Sequence, residues 1–178
     1  MIFKALAIPG VYVVGVEKNE DERGFFARGW CRGEFEASGL PSQLTQLNIS
    51  YNRRKHTLRG FHFQVSPHQE DKLIRCTRGA AHNVVLDLRV GSPTYKRHAS
   101  SVLSRANCDL LVVPKGCASA FLTLEDETDV IYLMSEQHQP AAARGVRWND
   151  PTFGIAWPVS KPAVISDRDK TWPDFRDD

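Results

Sequence analysis

The chain has 178 residues, a formal net charge of +2 and a pI near 8.4. This length fits a single domain, residues 1–178, whose core is large enough to need no disulfide or metal. Lys and Arg are scattered along the chain, so the mild charge does not indicate a nucleic-acid-binding protein. No run approaches the ~20 apolar residues of a membrane span. The short apolar run near the N-terminus stops at Pro9-Gly10, which does not fit a signal peptide.

These exclusions lead us to expect a cytoplasmic protein. Thiols stay reduced in that compartment, and the cysteines of this chain form no CxxC pair. We therefore expect four free thiols, at Cys31, Cys76, Cys108 and Cys117.

Most of the chain consists of short strand-like runs separated by turns. These runs occupy residues 11–16, 24–26, 46–50, 58–64, 71–76, 81–90, 100–103, 110–113, 118–124 and 130–134. Gly, Pro or charged turn residues separate them at intervals of about 8 to 12 residues. This spacing, without any internal repeat, predicts an all-β sandwich or barrel of jelly-roll type.

Two segments outside these strands have a different composition. Residues 32–40 have helical composition and contain Gly39 near their end, which predicts a short helix. After Pro140 the alternation is lost and Trp, Pro and Asp accumulate, so residues 140–178 are predicted to wrap against the barrel. A short helical turn with Ser166 as its N-cap is expected within this segment.

The run Leu58-Arg59-Gly60-Phe61-His62-Phe63-Gln64 places polar residues inside an otherwise apolar strand. Strict alternation predicts two faces, one with Gly60, His62 and Gln64 and the other with Arg59, Phe61 and Phe63. A histidine on the concave face of a sheet is a candidate site residue. The alternative is a core histidine that is hydrogen-bonded to a neighbour.

A lysine on the apolar side of the next strand is also unusual. Alternation groups Lys72 with Ile74 and Cys76, and a buried ammonium group is costly without a partner. A cupin metal site would require several His and Glu ligands, but the corresponding positions hold Gln64, Lys72 and Ser119. Only His62 remains as a ligand, so we expect no metal.

Several motifs together resemble the dTDP-4-dehydrorhamnose 3,5-epimerase family. They are Asp21-x-Arg23-Gly24-Phe25-Phe26, Gln46-x-Asn48, residues 58–64, Lys72-Leu73-Ile74-Arg75, Asp87-Leu88-Arg89-x-Gly91-Ser92-Pro93-Thr94, Pro114-x-Gly116, Tyr132, Gly145-x-Arg147-Trp148-Asn149-Asp150-Pro151 and Ser166-Asp167-Arg168-Asp169. The resemblance implies a cupin-like jelly roll with short peripheral helices. It also implies a homodimer that needs no cofactor and acts on a nucleotide-linked 4-keto-6-deoxyhexose.

The chemistry of such a reaction agrees with four of these residues. A 4-keto group acidifies the protons on C3 and C5, so inversion needs a base on one face, an acid on the other and a donor for the enolate oxygen. His62 suits the base because an imidazole exchanges protons near neutral pH. The resemblance implies that Asp169 pairs with His62, Lys72 stabilises the enolate and Tyr132 returns the proton. Asp169 as a helix cap and Tyr132 as a core aromatic are the structural alternatives.

The resemblance also implies a set of substrate-binding residues. Arg23 and Arg59 match the phosphate contacts of the family, which suits the geometry of a guanidinium group. Gln46 and Asn48 match its nucleotide and phosphate contacts, and Phe26 matches its aromatic residue beside the base. Arg168, next to Asp169 in the last motif, is expected to bind substrate as well. Arg23 as part of a solvated loop is the alternative.

The chain departs from the usual family pattern at four positions. Ser119 replaces an active-site histidine, and Asn83 replaces an aspartate. Arg28 replaces a glutamate and His138 an aromatic residue where the nucleotide is expected, which favours a base other than thymine, such as cytosine. We also expect Arg28, Ser119 and His138 to bind substrate.

The predicted function is epimerisation at C3 and/or C5 in deoxysugar or surface-polysaccharide biosynthesis. A 3,4-ketoisomerase and a non-catalytic sugar-nucleotide-binding cupin are the alternatives.

Overall fold

The computed structural model describes residues 1–176. Positions 177 and 178, the last two of the predicted domain and of its predicted C-terminal wrap, lie outside the described residues. The strands are β1 (Ile2–Ala5), β2 (Tyr12–Gly15), β3 (Lys18–Asp21), β4 (Gly24–Ala27), β5 (Gln46–Asn52), β6 (Thr57–Gln64), β7 (Lys72–Arg78), β8 (Ala80–Asp87), β9 (His98–Ser104), β10 (Leu110–Val113), β11 (Cys117–Thr123), β12 (Thr128–Met134), β13 (Ala143–Gly145) and β14 (Val164–Ile165). Short helices occur at α1 (Arg32–Ala37), α2 (Asp167–Lys170) and a 3₁₀ turn, Pro151–Phe153.

Two sheets face each other. The first has the order β1-β2-β10-β7-β12-β5, and the second has the order β13-β6-β11-β8-β9. The pairings along both sheets are antiparallel, and β14 adds to β6 in parallel. β3 and β4 form a separate hairpin. The predicted all-β class is therefore confirmed, and the helix predicted at residues 32–40 is present as α1.

Apolar side chains fill three layers. The central layer contains buried residues of both sheets, including Ile74 and Val130 of the first and Val85 of the second. Phe35 of α1 packs on the outer face of the first sheet. Residues of the C-terminal segment, including Trp157, cover the outer face of the second sheet around Phe61. Polar side chains that line a space between the sheets must therefore come from the concave faces.

One irregularity in β6 decides which side chains face that space. Ser119 and Phe121 of β11 are two residues apart, but their partners on β6, His62 and Arg59, are three apart. β6 therefore contains one extra residue, a β-bulge. Gly60 lies in this bulge with a φ of +117°, and an added Cβ would be 2.6 Å from the carbonyl oxygen of Ser119. Only glycine fits this conformation and this close approach.

The bulge corrects one prediction from the sequence. Strict alternation placed Arg59 on the face opposite His62, and this was wrong. Because the extra residue resets the alternation, Arg59 and His62 both line the space between the sheets. Phe61 points the other way and is fully buried in the outer apolar layer.

No helix within residues 1–176 has the length and apolar character needed to cross a membrane. All four cysteines are free, as expected.

Candidate active site

A cavity of about 490 Å³ lies between the two sheets. One wall comes from β5, β7 and β12 of the first sheet, and the other from β6 and β11 of the second. Its lining includes most of the predicted site residues: Gln46, Asn48, Arg59, His62, Lys72, Ser119, Tyr132, His138 and Arg168. The fold thus gathers residues spread over more than one hundred positions of the sequence.

His62 forms a dyad with Asp169. The Nε2 atom of His62 is 2.7 Å from Oδ1 of Asp169, and the backbone N–H of Gly60 donates to Oδ2 at 3.2 Å. Asp169 lies in α2, where its own backbone N–H donates to the Oγ of Ser166 at 3.1 Å. The predicted N-cap is therefore confirmed, and it helps to hold the carboxylate against the imidazole.

The dyad fixes the tautomer of His62. Burial alone would raise the pKa of Asp169, but the hydrogen bond and charge of His62 and the N–H of Gly60 outweigh burial and lower this pKa. An ionised carboxylate can only accept hydrogen bonds, so Nε2 of His62 carries the proton. Nδ1 is then the unprotonated nitrogen, and His62 can act as a base through it.

Lys72 is held by one hydrogen bond and one ion pair. Its Nζ donates to the backbone carbonyl of His62 at 2.9 Å and lies 2.9 Å from Oε1 of Glu70. Both side chains are largely buried, with exposed fractions of 10% for Lys72 and 3% for Glu70. An ammonium group has three N–H donors, so Lys72 can still donate to a bound molecule.

Tyr132 and Ser119 lie on opposite walls. Tyr132 belongs to β12 of the first sheet, so its side chain enters the cavity from the wall opposite His62. Ser119 pairs directly with His62 across β6 and β11. Asn83 pairs with Phe121 rather than with Ser119, and its Nδ2 donates to the carbonyl of Ala81. Asn83 and Ser119 are therefore diagonal neighbours on one face, not directly opposed residues.

A row of amides lines the wall formed by β5. The Nε2 of Gln46 donates to Oδ1 of Asn48 at 2.9 Å, and Nδ2 of Asn48 donates to the sulfur of Met134 at 3.3 Å. The backbone N–H of His138 donates to Oε1 of Gln46. With its oxygens already used as acceptors, this row presents mainly N–H donors to the cavity.

Positive charge dominates the cavity. Arg59, Lys72, Arg144 and Arg168 line it, whereas Glu70 is the single carboxylate of its lining within the described chain. The Nε of Arg59 donates to Oδ1 of Asn52 at 2.8 Å, and the guanidinium of Arg168 lies 5.1 Å from the ring centre of Trp172. These contacts orient the two guanidinium groups in a way that suits an anionic ligand.

Three predicted site residues lie outside this cavity. Arg23 pairs with Asp21 in the turn of the β3–β4 hairpin, and its side chain is 85% exposed. Phe26 of β4 is 77% exposed. Arg28 donates to Glu34 of α1 at 2.9 Å. The single chain does not bring these residues to His62.

Among the charged residues of the cavity lining, sequence reasoning missed two, Glu70 and Arg144. Glu70 is two positions before Lys72, so extending the alternation by one step would have placed both on one face. Arg144 adjoins the recognised motif that begins at Gly145, and no local pattern shows that β13 pairs with β6. No group of three or more His, Cys, Asp or Glu side chains with the geometry of a metal site occurs within residues 1–176.

The fold and cavity define a jelly-roll protein with a His–Asp dyad at its cavity. A sequence model of the family described as dTDP-4-dehydrorhamnose 3,5-epimerase matches residues 5–177. The protein of that description from Sinorhizobium fredii is 38% identical over 173 residues, which cover 97% of this chain and 89% of that protein.

Solved structures give the same result. The dTDP-4-dehydrorhamnose 3,5-epimerase from Bacillus anthracis, with TDP and PPi bound, has a TM-score of 0.94 and 35% identity and covers 98% of this chain and 99% of its own. A 3′-monoepimerase from Streptomyces bikiniensis, in complex with dTDP-quinovose, has a TM-score of 0.88 and 31% identity, covering 96% and 86%. The chain belongs to the dTDP-4-dehydrorhamnose 3,5-epimerase family and is an isomerase, and its predicted cupin-like jelly roll is confirmed.

Replacement of Asp169 by asparagine tests the tautomer. Asparagine has one acceptor oxygen for two donors, the N–H of Gly60 and Nε2–H of His62, so its NH₂ group meets one of them. We expect a mixture of His62 tautomers in ¹⁵N NMR spectra of the imidazole, where the wild-type protein shows protonated Nε2 alone. Turnover should fall about 10²–10⁴-fold. An unchanged tautomer would contradict this account.

The lowered pKa of Asp169 also predicts the pH dependence of folding. A carboxyl group whose pKa is lowered stabilises the folded chain fully above its unfolded pKa of about 3.9, and this contribution is lost as the pH falls. The free energy of unfolding should therefore decrease less steeply below about pH 4 in Asp169→Asn than in the wild type. Urea titrations at several pH values measure the difference.

Proposed function

We propose that this chain epimerises a nucleotide-linked 4-keto-6-deoxyhexose at C3 and/or C5, in deoxysugar biosynthesis. The observation that carries the proposal is that the His62–Asp169 dyad and Tyr132 lie on opposite walls of one cavity. The side chain of Lys72 lines the same cavity. Inversion of a carbon requires removal of a proton on one face and its return on the other. The relatives named above are epimerases of this kind of sugar.

In the proposed reaction, Nδ1 of His62 takes a proton from C3 or C5, the carbons next to the keto group. The electrons move toward the keto oxygen, where the free N–H of Lys72 stabilises the enolate. The hydroxyl of Tyr132 returns a proton to the opposite face. The carboxylate of Asp169 stabilises the imidazolium that forms, because it faces Nε2 at 2.7 Å.

The charge of the cavity supports a diphosphate substrate. Arg59, Arg144 and Arg168 supply three guanidinium groups around the space, and the amides of Gln46 and Asn48 supply further donors. Guanidinium groups bind phosphate oxygens through paired hydrogen bonds. The B. anthracis relative holds TDP and PPi, and the S. bikiniensis relative holds a dTDP-sugar.

Epimerisation at one carbon is a second candidate, and Ser119 favours it. A serine faces His62 where the family usually has a histidine, so one proton-transfer group is absent from this wall. The S. bikiniensis relative is a monoepimerase, which shows that the fold also accommodates single inversion.

Solvent exchange tests the function. With nucleotide 4-keto-6-deoxy sugars in D₂O, we expect deuterium at C3 and C5 for double epimerisation and at one of them for single epimerisation, read by NMR. His62→Ala should slow exchange about 10²–10⁴-fold, because the base is lost. His98→Ala, in β9 and outside the cavity, is the matched control.

Two outcomes would contradict the proposal. Tight nucleotide-sugar binding without exchange would indicate a binding protein, and a 3-keto product would indicate a ketoisomerase. Undiminished exchange by His62→Ala would refute the assigned base even if the substrate is correct.

We further propose that the protein is a homodimer. The edge strand β5 exposes Leu47 and Ile49, by 54% and 72%, and the β3–β4 hairpin exposes Phe25 and Phe26, by 49% and 77%. Exposed apolar residues on an edge strand are typical of an interface. In a dimer, the β3–β4 hairpin of one chain would complete the cavity of its partner, so that Arg23 and Phe26 reach the substrate bound there.

Light scattering should give twice the 20.0 kDa mass of the chain. Mixing Arg23→Ala with His62→Ala should restore about one quarter of wild-type activity, because each mixed dimer has one intact site. Mixing His62→Ala with Lys72→Met is the matched control and should restore none, since each chain supplies both residues to its own cavity and every cavity in a mixed dimer would lack one of them. A monomeric mass, or no complementation in the first mixture, would disprove the shared site.

We also propose that the base is not thymine. A guanidinium at Arg28 donates where a glutamate would accept, and His138 lines the cavity near the amide row. CDP should bind about tenfold more tightly than dTDP in competition assays. Arg28→Glu should shift the preference toward dTDP, and Arg32→Glu, on the nearby helix, should not. A clear preference of the wild type for dTDP over CDP and UDP would contradict this proposal.

The proposed setting is the cytoplasm, in the synthesis of deoxysugars for surface polysaccharides such as O-antigen. Four free thiols and a nucleotide-activated substrate support this setting.

A further inference from the structure

We propose that Glu70 is a positioning residue that holds the ammonium of Lys72 against the enolate oxygen of the substrate. This inference rests on the proposed epimerase function and deepens it. Neither the motifs in the sequence nor the proposed proton transfers require an acidic residue at this position.

The geometry of the pair supports this role. Oε1 of Glu70 forms an ion pair with Nζ of Lys72 at 2.9 Å, and the backbone carbonyl of His62 accepts a hydrogen bond from the same Nζ at 2.9 Å. A lysine side chain with four methylene groups is normally flexible. Here the carboxylate and the carbonyl restrict it, and the ammonium still has N–H donors for the substrate.

The second acceptor ties Lys72 to the proposed base. Because the carbonyl belongs to His62 itself, this hydrogen bond ties the ammonium on β7 of one sheet to the residue on β6 of the other that carries the imidazole. A proton leaves C3 or C5 while negative charge develops on the adjacent keto oxygen. A fixed distance between the imidazole and the ammonium therefore suits the fixed distance between the carbon that loses the proton and the keto oxygen that gains the negative charge.

Burial gives the carboxylate its second effect. The side chains of Glu70 and Lys72 are only 3% and 10% exposed, so the ammonium lies where an unpaired charge is disfavoured. The carboxylate of Glu70 compensates that charge and restricts where the Nζ of Lys72 can lie.

The other oxygen of Glu70 argues against a purely structural ion pair. Oε2 is buried and has no hydrogen-bond partner within residues 1–176. Buried polar atoms are nearly always paired, so an unpaired one needs an explanation. A carboxylate kept at this site at a cost to stability is explained by its action on Lys72.

Double-mutant kinetics test the inference, with turnover and solvent exchange as readouts. Glu70→Gln should lower kcat about 10–100-fold and change KM less than about threefold, because the ground-state contacts of the nucleotide are untouched. In the Lys72→Met background the same replacement should change kcat less than about threefold. Glu136→Gln is the matched control, since its carboxylate bonds the N–H of Gln137 rather than Lys72.

Several results would overturn the inference. They are a kcat unchanged by Glu70→Gln, an effect on KM alone, or an equal loss of kcat with and without Lys72. Thermal melting and dTDP or CDP binding verify that each variant is folded. If Glu70→Gln fails to fold, the same comparison is made with Glu70→Asp. This variant keeps the charge but shortens the side chain by one methylene group, which moves the carboxylate away from Lys72. Absence of exchange in the wild type would overturn the proposed function together with this inference, whereas the variant ratios overturn this inference alone.

Discussion

One hydrogen bond, between His62 and Asp169, joins an inner strand to a helix that is 107 residues further along the chain. Three local features make it possible. The bulge at Gly60 turns the imidazole toward the cavity, the N–H of Gly60 holds the second carboxylate oxygen, and Ser166 caps α2 so that Asp169 is correctly placed. The C-terminal segment, which packs on the outer face of the second sheet, is therefore part of the site. The proposed acid–base chemistry depends on this segment being folded against the barrel.

The charged side chains around the cavity fall into two groups. His62 and Lys72 each have a close carboxylate partner, Asp169 and Glu70 respectively. The guanidinium groups of Arg59, Arg144 and Arg168 have no carboxylate partner within the cavity lining of the described chain. In the proposed function, the phosphates of the substrate provide the negative charge that this second group lacks.

Two residues that depart from the family pattern, Ser119 and His138, line the cavity, and Ser119 pairs directly with His62. Arg28 lies with Arg23 and Phe26 in a region that one chain leaves exposed or paired with α1. In the proposed function, Ser119 bears on which protons move, whereas Arg28 and His138 bear on which nucleotide binds. Such changes would let the substrate change while the dyad, Lys72 and Tyr132 stay the same.

The sequence by itself determined the all-β class, the helix at α1, the cap at Ser166 and the family, because short-range alternation, turn residues and motif order are local properties. It also identified His62, Lys72, Tyr132 and Asp169 as candidates. Only the tertiary structure decided which of them meet. The bulge that places Arg59 beside His62 is visible only in the pairing of β6 with β11, since strand register depends on a partner distant in sequence. The contact of Lys72 with the backbone carbonyl of His62 likewise required packing between the sheets, which no local pattern specifies.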